Sequence, residues 1–161
     1  MNGENSRDHF FDVIRGFDNA MLVTFGGQQP HCRPMAIAAI EGDEILFVTS
    51  AASPKADEVR ADGHATVVMQ GKTQFATAWG KARIEDDRGR IARLWKSTWK
   101  VWFPNGKDDP DLRLVVIRPE GGEYWDNSGG KGVKYVLEAA KALVNGKRPT
   151  ADREQHGKVA L

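Results

Sequence analysis

The sequence predicts a mainly β protein, a small antiparallel barrel with helices on its outside or ends. Three observations point there. Six segments are rich in strand formers, the links "GGQQP", "EGDE" and "GKT" between them suit tight turns, and helical periodicity is confined to short stretches that interrupt the strands.

Taken in order, "NSRDHFFDVIRGF" places Phe10, Val13, Ile14 and Phe17 at three- and four-residue steps, the pattern of a helix with one buried face. "AMLVTF" and "HCRPMAIAAI" read as two antiparallel strands, and "EGDE" turns the chain into a third, "EILFVTS". Ser53 is a natural N-cap and Pro54 a natural first residue for a short helix, which "DG" ends at Asp62-Gly63. "HATVVMQ" and "QFATAWGKARIE" form a hairpin about "GKT". "DDRGRIARLWKSTWKVWF" then carries Ile91, Leu94, Trp95, Thr98 and Trp102 at helical spacing, with Asp86 or Asp87 as its cap and Pro104-Asn105-Gly106 as its stop. "DLRLVVIRP" is the sixth strand, and "EGGEYWDN" leads out of the sheet. "KGVKYVLEAAKALVN" reads as a second amphipathic helix, and the closing "GKRPTADREQHGKVAL" has little to bury, so a disordered tail is expected.

The 161 residues suffice for one domain with a real core. Lys and Arg number 23 against 22 Asp and Glu, a net charge of +1, which lacks the positive excess that holds a nucleic-acid backbone. Cys32 is the single cysteine, and neither a signal-like N-terminus nor a membrane-length apolar run is present. A soluble, cytoplasmic protein without nucleic-acid or membrane partners is expected.

Much familiar chemistry is missing from the sequence. His9, His31, His64 and His156 are scattered, so no metal site is expected, and no G-x-S-x-G elbow supplies a nucleophile. "NSGGKG" lacks the spacing of a phosphate-binding P-loop, and the pairs Asp86/Asp87 and Asp108/Asp109 sit where carboxylates cap helices. No catalytic residue is assigned.

One stretch asks for an explanation. In "TSAASPK" a cation, Lys55, lies in the first turn of a helix, at the positive end of its dipole. Thr49, Ser50 and Ser53 add hydroxyl groups, and the helix start adds N–H donors, so the cluster favours an anion. The alternative is that Asp57 and Glu58 simply balance Lys55 on an exposed turn. Period-two alternation places Arg33 on the face of Met35, Ile37 and Ala39, and pairing through the "EGDE" turn would bring it near Thr49 and Ser50. Arg33 and Lys55 then meet at one anion, or Arg33 forms an ordinary ion pair at the core edge.

The run "RPMAIAAIEGDEILFVTSAASPKADEVRADGHATVVMQ", continued by "GKARIEDDRGRIARLWKSTWKVWFPNGKDDPDLRLVVIRPEGGEYWDN", resembles the general stress protein branch of the pyridoxamine 5′-phosphate oxidase-like superfamily, the FMN-binding split β-barrel. The resemblance covers roughly Asp8 to Asn127. It implies a six-stranded antiparallel split barrel over residues 5–127, followed by the helix at 128–146 and the tail at 147–161. It also implies a homodimer with FMN, or alternatively FAD, at each subunit interface.

Arg33 matches the strand arginine that reaches the phosphate or ribityl chain, Pro34 and Met35 match backbone positions along the flavin ring, and Val48 and Thr49 match contacts from the next strand. Ser53 and Lys55 match the serine and lysine that hold the phosphate, with Ser50 beside them. Gln74 lies close to a family glutamine at the ring, one residue out of register, and Trp125 in "EYWDN" is placed to reach the partner's flavin. The other aromatics, Trp95, Trp99, Trp102 and Phe103, read as core or subunit interface.

Two departures separate the chain from true pyridoxamine phosphate oxidases. Pro54-Lys55 stands where they carry an Arg-Lys pair, and their C-terminal tryptophan- and arginine-bearing motif is absent. The function implied is a flavin-dependent oxidoreductase acting with a small-molecule redox partner other than vitamin B6. The alternatives are a flavin-binding sensor without turnover and a cofactor-free dimeric interaction module.

Overall fold

The computed structural model describes residues 3–129, 137, 140, 141, 144, 146 and 156–161. Its elements are α1 (Gly3–Ile14), β1 (Asn19–Gly26), β2 (Gln29–Ala36), β3 (Ala39–Glu41), β4 (Glu44–Ser50), α2 (Pro54–Asp62), β5 (His64–Gln70), β6 (Gln74–Glu85), α3 (Arg88–Leu94), short 3-10 turns at Ser97–Val101 and Gly106–Asp108, β7 (Leu112–Asp126) and β8 (His156–Ala160). The strands form one mainly antiparallel sheet in the order β2-β1-β5-β6-β7-β4-β3, with β8 paired to β7. This agrees with a split barrel, but the sheet holds eight strands, not six, and it is not closed.

Three differences from the sequence expectation stand out, and the first and third account for the count. The single strand expected over "HCRPMAIAAI" is cut in two. Ile37 N–H donates to Asp18 O at 2.8 Å, while its neighbour Ala38 donates to Leu46 O at 2.8 Å, so consecutive amides bond to opposite ends of the sheet. β2 therefore lies along β1, whereas β3 lies along β4. Second, β7 does not leave the sheet at "EGGEYWDN": it stays paired with β6 as far as Asp126. Third, part of the expected disordered tail is ordered, because His156–Ala160 pair with Gly121–Trp125 of β7. Val159 enters the main core there, and Gly157 lies against Tyr124, where an added Cβ would come within 2.6 Å of the ring. Of the helix expected at 128–146, Leu137, Ala140, Lys141 and Val144 are helical, and most of that segment, like 147–155, lies outside the described residues.

Strand alternation explains two adjoining cores. In β7, Leu114, Val115, Val116 and Ile117 are all fully buried. Val115 and Ile117 face a cluster with Phe10, Ile14, Ile45 and Phe47, and α1 covers it. Leu114 and Val116 face a second cluster with Leu46, Ile91, Leu112 and Phe103, beneath α3. Each such side chain contributes about 1.5–3 kcal/mol through burial. The helix expected to run on through Trp102 instead stops at Leu94, since Trp95 turns to φ −51, ψ 131. The chain restarts as the 3-10 turn, with Trp95 and Trp99 packed edge to face at 5.8 Å.

Arg90 ties α3 to the sheet, donating to Glu41 at 3.2 Å, Glu44 at 2.8 Å and Glu85 at 3.0 Å. Burial alone would raise the Glu44 carboxyl, but hydrogen bonds from Arg83 and Arg90 outweigh it and hold the group below its ordinary value. Glu41 is lowered chiefly by its hydrogen bond from Arg93. A carboxylate depressed on folding contributes stability that is complete above its unfolded pKa and is lost as pH falls through the folded one. Urea midpoints measured at stepped pH are therefore expected to hold down to about pH 4.3 and drop below it, the loss being smaller in Glu44→Gln.

A bulge between Trp79 and Gly80 breaks the β6–β7 register, with Trp79 opposite Gly121 and Gly80 opposite Pro119. A Cβ on Gly80 would lie 2.2 Å from Arg118 O and 2.6 Å from Glu120 N, backbone atoms that cannot swing aside. Gly80→Ala is expected to lower the unfolding free energy by about 2–3 kcal/mol, read from denaturant curves.

Candidate functional site

The seam that divides β2 from β3 brings β2 and β4 face to face without pairing them, and a cavity of about 540 Å³ lies between them. β2 supplies Pro34, Met35 and Ala36, and β4 supplies Val48, Thr49 and Ser50. Lys55 closes one end from the first turn of α2. The 3-10 turn and the residues after it supply an aromatic wall of Trp99, Trp102 and Phe103. The cavity therefore has a cationic, hydroxyl-bearing end and an apolar, aromatic remainder. Its size lies in the range of pockets that enclose ligands of cofactor size.

The polar end is built by local sequence. Ser53 is extended, at φ −74 and ψ 146, and its Oγ accepts from Ala56 N–H at 3.3 Å, while Pro54 occupies the first helical position. Thr49, itself buried, bonds to Ser53 Oγ at 2.8 Å and so fixes the cap against β4. Gly63 ends the helix in the left-handed region, at φ 75.

Lys55 makes no ion pair or side-chain hydrogen bond among the described residues. The carboxylates that follow it on α2 are engaged elsewhere: Asp57 with Arg60 at 3.0 Å, and Glu58 with Arg33 and His31. Burial lowers the Lys55 pKa, and the charge of Arg33 lowers it further, with Glu58 opposing weakly. An anion in the cavity would relieve both effects.

Arg33 is not where the "EGDE" turn would have put it. That turn joins β3 to β4, whereas Arg33 lies on β2 opposite Leu22 of β1. Its guanidinium donates to Thr24 Oγ1 at 2.5 Å and to Glu58 Oε2 at 3.2 Å. It stands beside the cavity, close enough to act on Lys55, without lining it.

Of the other sequence candidates, Pro34, Met35, Val48, Thr49 and Ser50 line the cavity with Lys55, and Ser53 supports it through Thr49. Gln74 and Trp125 do not join them within one chain. Thr49 and Ser50 pair with the first residues of β7, while Gln74 pairs with Asp126 at its end. Gln74 donates to Asp126 at 3.1 Å, and Trp125 stacks on His156 with centroids 4.9 Å apart.

Phe103 and Trp99 belong to the second core as their sequence suggests, but with Trp102 they also form the aromatic wall, which a core-or-interface reading misses. No sequence signal marks it, since the aromatic spacing does not show that the helix breaks at Trp95. Glu58 was weighed only as a counter-charge to Lys55, yet it is the partner of Arg33. Among the described residues no cluster of His, Cys, Asp and Glu could hold a metal ion, and no helix is long and apolar enough to cross a membrane.

Comparison with known proteins agrees with this architecture. A family model described as pyridoxamine 5′-phosphate oxidase like matches residues 5–150. General stress protein 26 of Bacillus subtilis (strain 168) is 29% identical over 125 residues, covering 74% of this chain and 88% of that protein. A solved structure described as a general stress protein 26, from Jannaschia sp. CCS1, superposes with a TM-score of 0.75 at 25% identity, over 99% of this chain and 100% of that one. The general stress FMN/FAD binding protein of Xanthomonas citri superposes with a TM-score of 0.66 at 25% identity, over 78% of this chain and 92% of that one. The chain belongs to the pyridoxamine 5′-phosphate oxidase-like family, in its general stress protein branch.

Proposed function

We propose that the cavity binds a flavin mononucleotide, with FAD as the alternative nucleotide, and that the protein is a flavin-dependent oxidoreductase of the general stress type. The observation that carries this reading is Lys55, a partly buried cation without a counter-ion among the described residues, in a cavity that it lines together with an aromatic wall. A flavin phosphate presents an anion at one end and a large flat ring at the other. The name of the Xanthomonas citri relative, an FMN/FAD binding protein, supports the same ligand class.

Lys55 would hold the phosphate with the hydroxyls of Thr49 and Ser50 and the start of α2, while Met35, Val48 and the wall exclude water from the ring. When bound, the flavin supplies the electron or hydride transfer. Pro54 in place of a second cation leaves the phosphate with fewer anchors than in vitamin B6 oxidases, so the substrate we propose is another small molecule.

A homodimer belongs to the same proposal. Val101 and Trp102 beside the cavity are 81% and 78% exposed, an apolar pair that a second copy would cover. Gln74 at the start of β6 and Trp125 at the far end of β7, which lie side by side, would reach a flavin from that second copy. The single cysteine, which allows no disulfide within the chain, supports a reducing, cytoplasmic setting.

One observation favours a second reading, a flavin-binding sensor without turnover: among the described residues the cavity lining contains no carboxylate, histidine or cysteine to move a proton. Anaerobic addition of NADH or NADPH to the flavin-loaded protein separates the two. Bleaching of the oxidised flavin band followed by reoxidation with an added acceptor is expected, and a flavin left oxidised by both donors supports the sensor.

The two ends of the cavity are tested by two ligands. Lys55→Ala is expected to weaken FMN by roughly 10- to 150-fold, the equivalent of a charge-assisted bond of about 1.5–3 kcal/mol, and riboflavin far less. Trp102→Ala is expected to weaken both alike. Fluorescence titration reads each affinity, and equal losses for the two ligands in Lys55→Ala would count against a phosphate site.

A further inference from the structure

Beside the polar end of the cavity, Glu58 is held more firmly than a surface carboxylate needs to be. Lys55 and Glu58 lie three residues apart on α2, neighbouring positions on one side of the helix. Glu58 accepts from the Thr24 hydroxyl, from Arg33 Nη2 at 3.2 Å and from His31 Nδ1 at 2.5 Å. Thr24 is fully buried, and the Glu58 side chain is only 11% exposed. Arg33 Nη1 completes the triangle by donating to Thr24 Oγ1 at 2.5 Å.

The fixed carboxylate changes what the cavity offers an anion. Lys55 and Arg33 bring two positive charges to this end, and Glu58 cancels one of them. Arg33, the cation with the larger number of N–H donors, is already committed to Thr24 and Glu58. Burial would raise the Glu58 carboxyl, but the hydrogen bonds from Thr24, His31 and Arg33 hold it below the usual carboxylate range, so it is ionised at neutral pH.

We propose that Glu58 is a specificity-determining residue: a built-in carboxylate that competes with the ligand's phosphate for Arg33, so that phosphate alone is held weakly. Only a phosphate ester whose flat ring also fills the aromatic part of the cavity then binds well. The identity of that ring rests on the flavin reading above. The charge argument stands on Lys55, Arg33 and Glu58 alone.

The test is calorimetric titration of FMN, riboflavin and inorganic phosphate into the full chain and two variants. Glu58→Gln removes the charge while keeping the shape. His31→Arg sets a permanent cation against the same carboxylate from the exposed edge of β2, replacing an exposed partner of Glu58 and leaving Thr24 and Arg33 unaltered. One unit charge removed within several ångströms, at an effective dielectric near 20, changes affinity by on the order of tenfold or more. Glu58→Gln is therefore expected to bind inorganic phosphate and FMN about tenfold more tightly, with riboflavin changed by less than about twofold. His31→Arg is expected to move the same affinities in the same direction by less.

Unchanged phosphate and FMN affinities in both variants would overturn the proposal. So would weaker FMN with unchanged riboflavin in Glu58→Gln, because Glu58 would then be a platform that aims Arg33 at the phosphate. Absence of phosphate binding in all three proteins overturns it as well. If Glu58→Gln does not fold, His31→Arg decides by the same criteria. Wild-type protein that binds phosphate but neither flavin would sink the flavin reading, while the phosphate affinities still decide the role of Glu58.

Discussion

The architecture depends on two neighbouring amides. Ile37 and Ala38 follow one another in sequence, yet the first bonds to the carbonyl of Asp18 and the second to that of Leu46. Backbone N–H groups must find acceptors when they leave water, and here adjacent donors find them at opposite ends of the sheet. The two ends are thereby drawn together without becoming a ladder. β2 and β4 face each other unpaired, and the space between them is the cavity. A closed barrel would have filled that space with cross-strand pairs.

The same constraint decides the electrostatics. β4 delivers Thr49 and Ser50 to the cavity and runs directly into the cap of α2, so Lys55 arrives at the mouth of the seam whatever its own preference. A lysine in a first helical turn opposes the helix dipole, and this one is also partly desolvated and beside Arg33. Such an arrangement holds the site in a state that an incoming anion relaxes. Ordinary surface charges leave no such imbalance, because water screens them.

Local signals in the sequence were legible where local physics decides. Ser53, Pro54 and Gly63 specify α2 with little help from the rest of the fold, and the apolar steps of Phe10, Val13 and Ile14 specify the buried face of α1. The strand that became β2 and β3 was not legible as two, since its composition is continuous and the break is set by which distant carbonyls its amides meet. The position of Arg33 failed for the same reason: β2 pairs with β1 as its sequence suggests, but the pairing with β4 through the "EGDE" turn falls to β3, which Arg33 is not part of. Thr49, Ser50, Ser53 and Lys55 were found because they lie within one short stretch. Trp99 and Trp102 were not, because aromatic spacing alone does not say whether a helix continues or breaks, and here it breaks at Trp95.

β7 shows how one strand serves two neighbours on the same side. Along one edge it is paired with β6 throughout, and along the other with β4 over Leu112–Ile117 and with β8 over Gly121–Trp125. Without β8, the second half of that edge would present a row of unpaired backbone donors and acceptors to solvent. Bare edges of this kind template pairing between chains, the usual first step toward aggregates. The closing strand, polar as its sequence looks, thus acts as a selvedge: it finishes the border of the sheet so that the fabric does not join to another copy of itself.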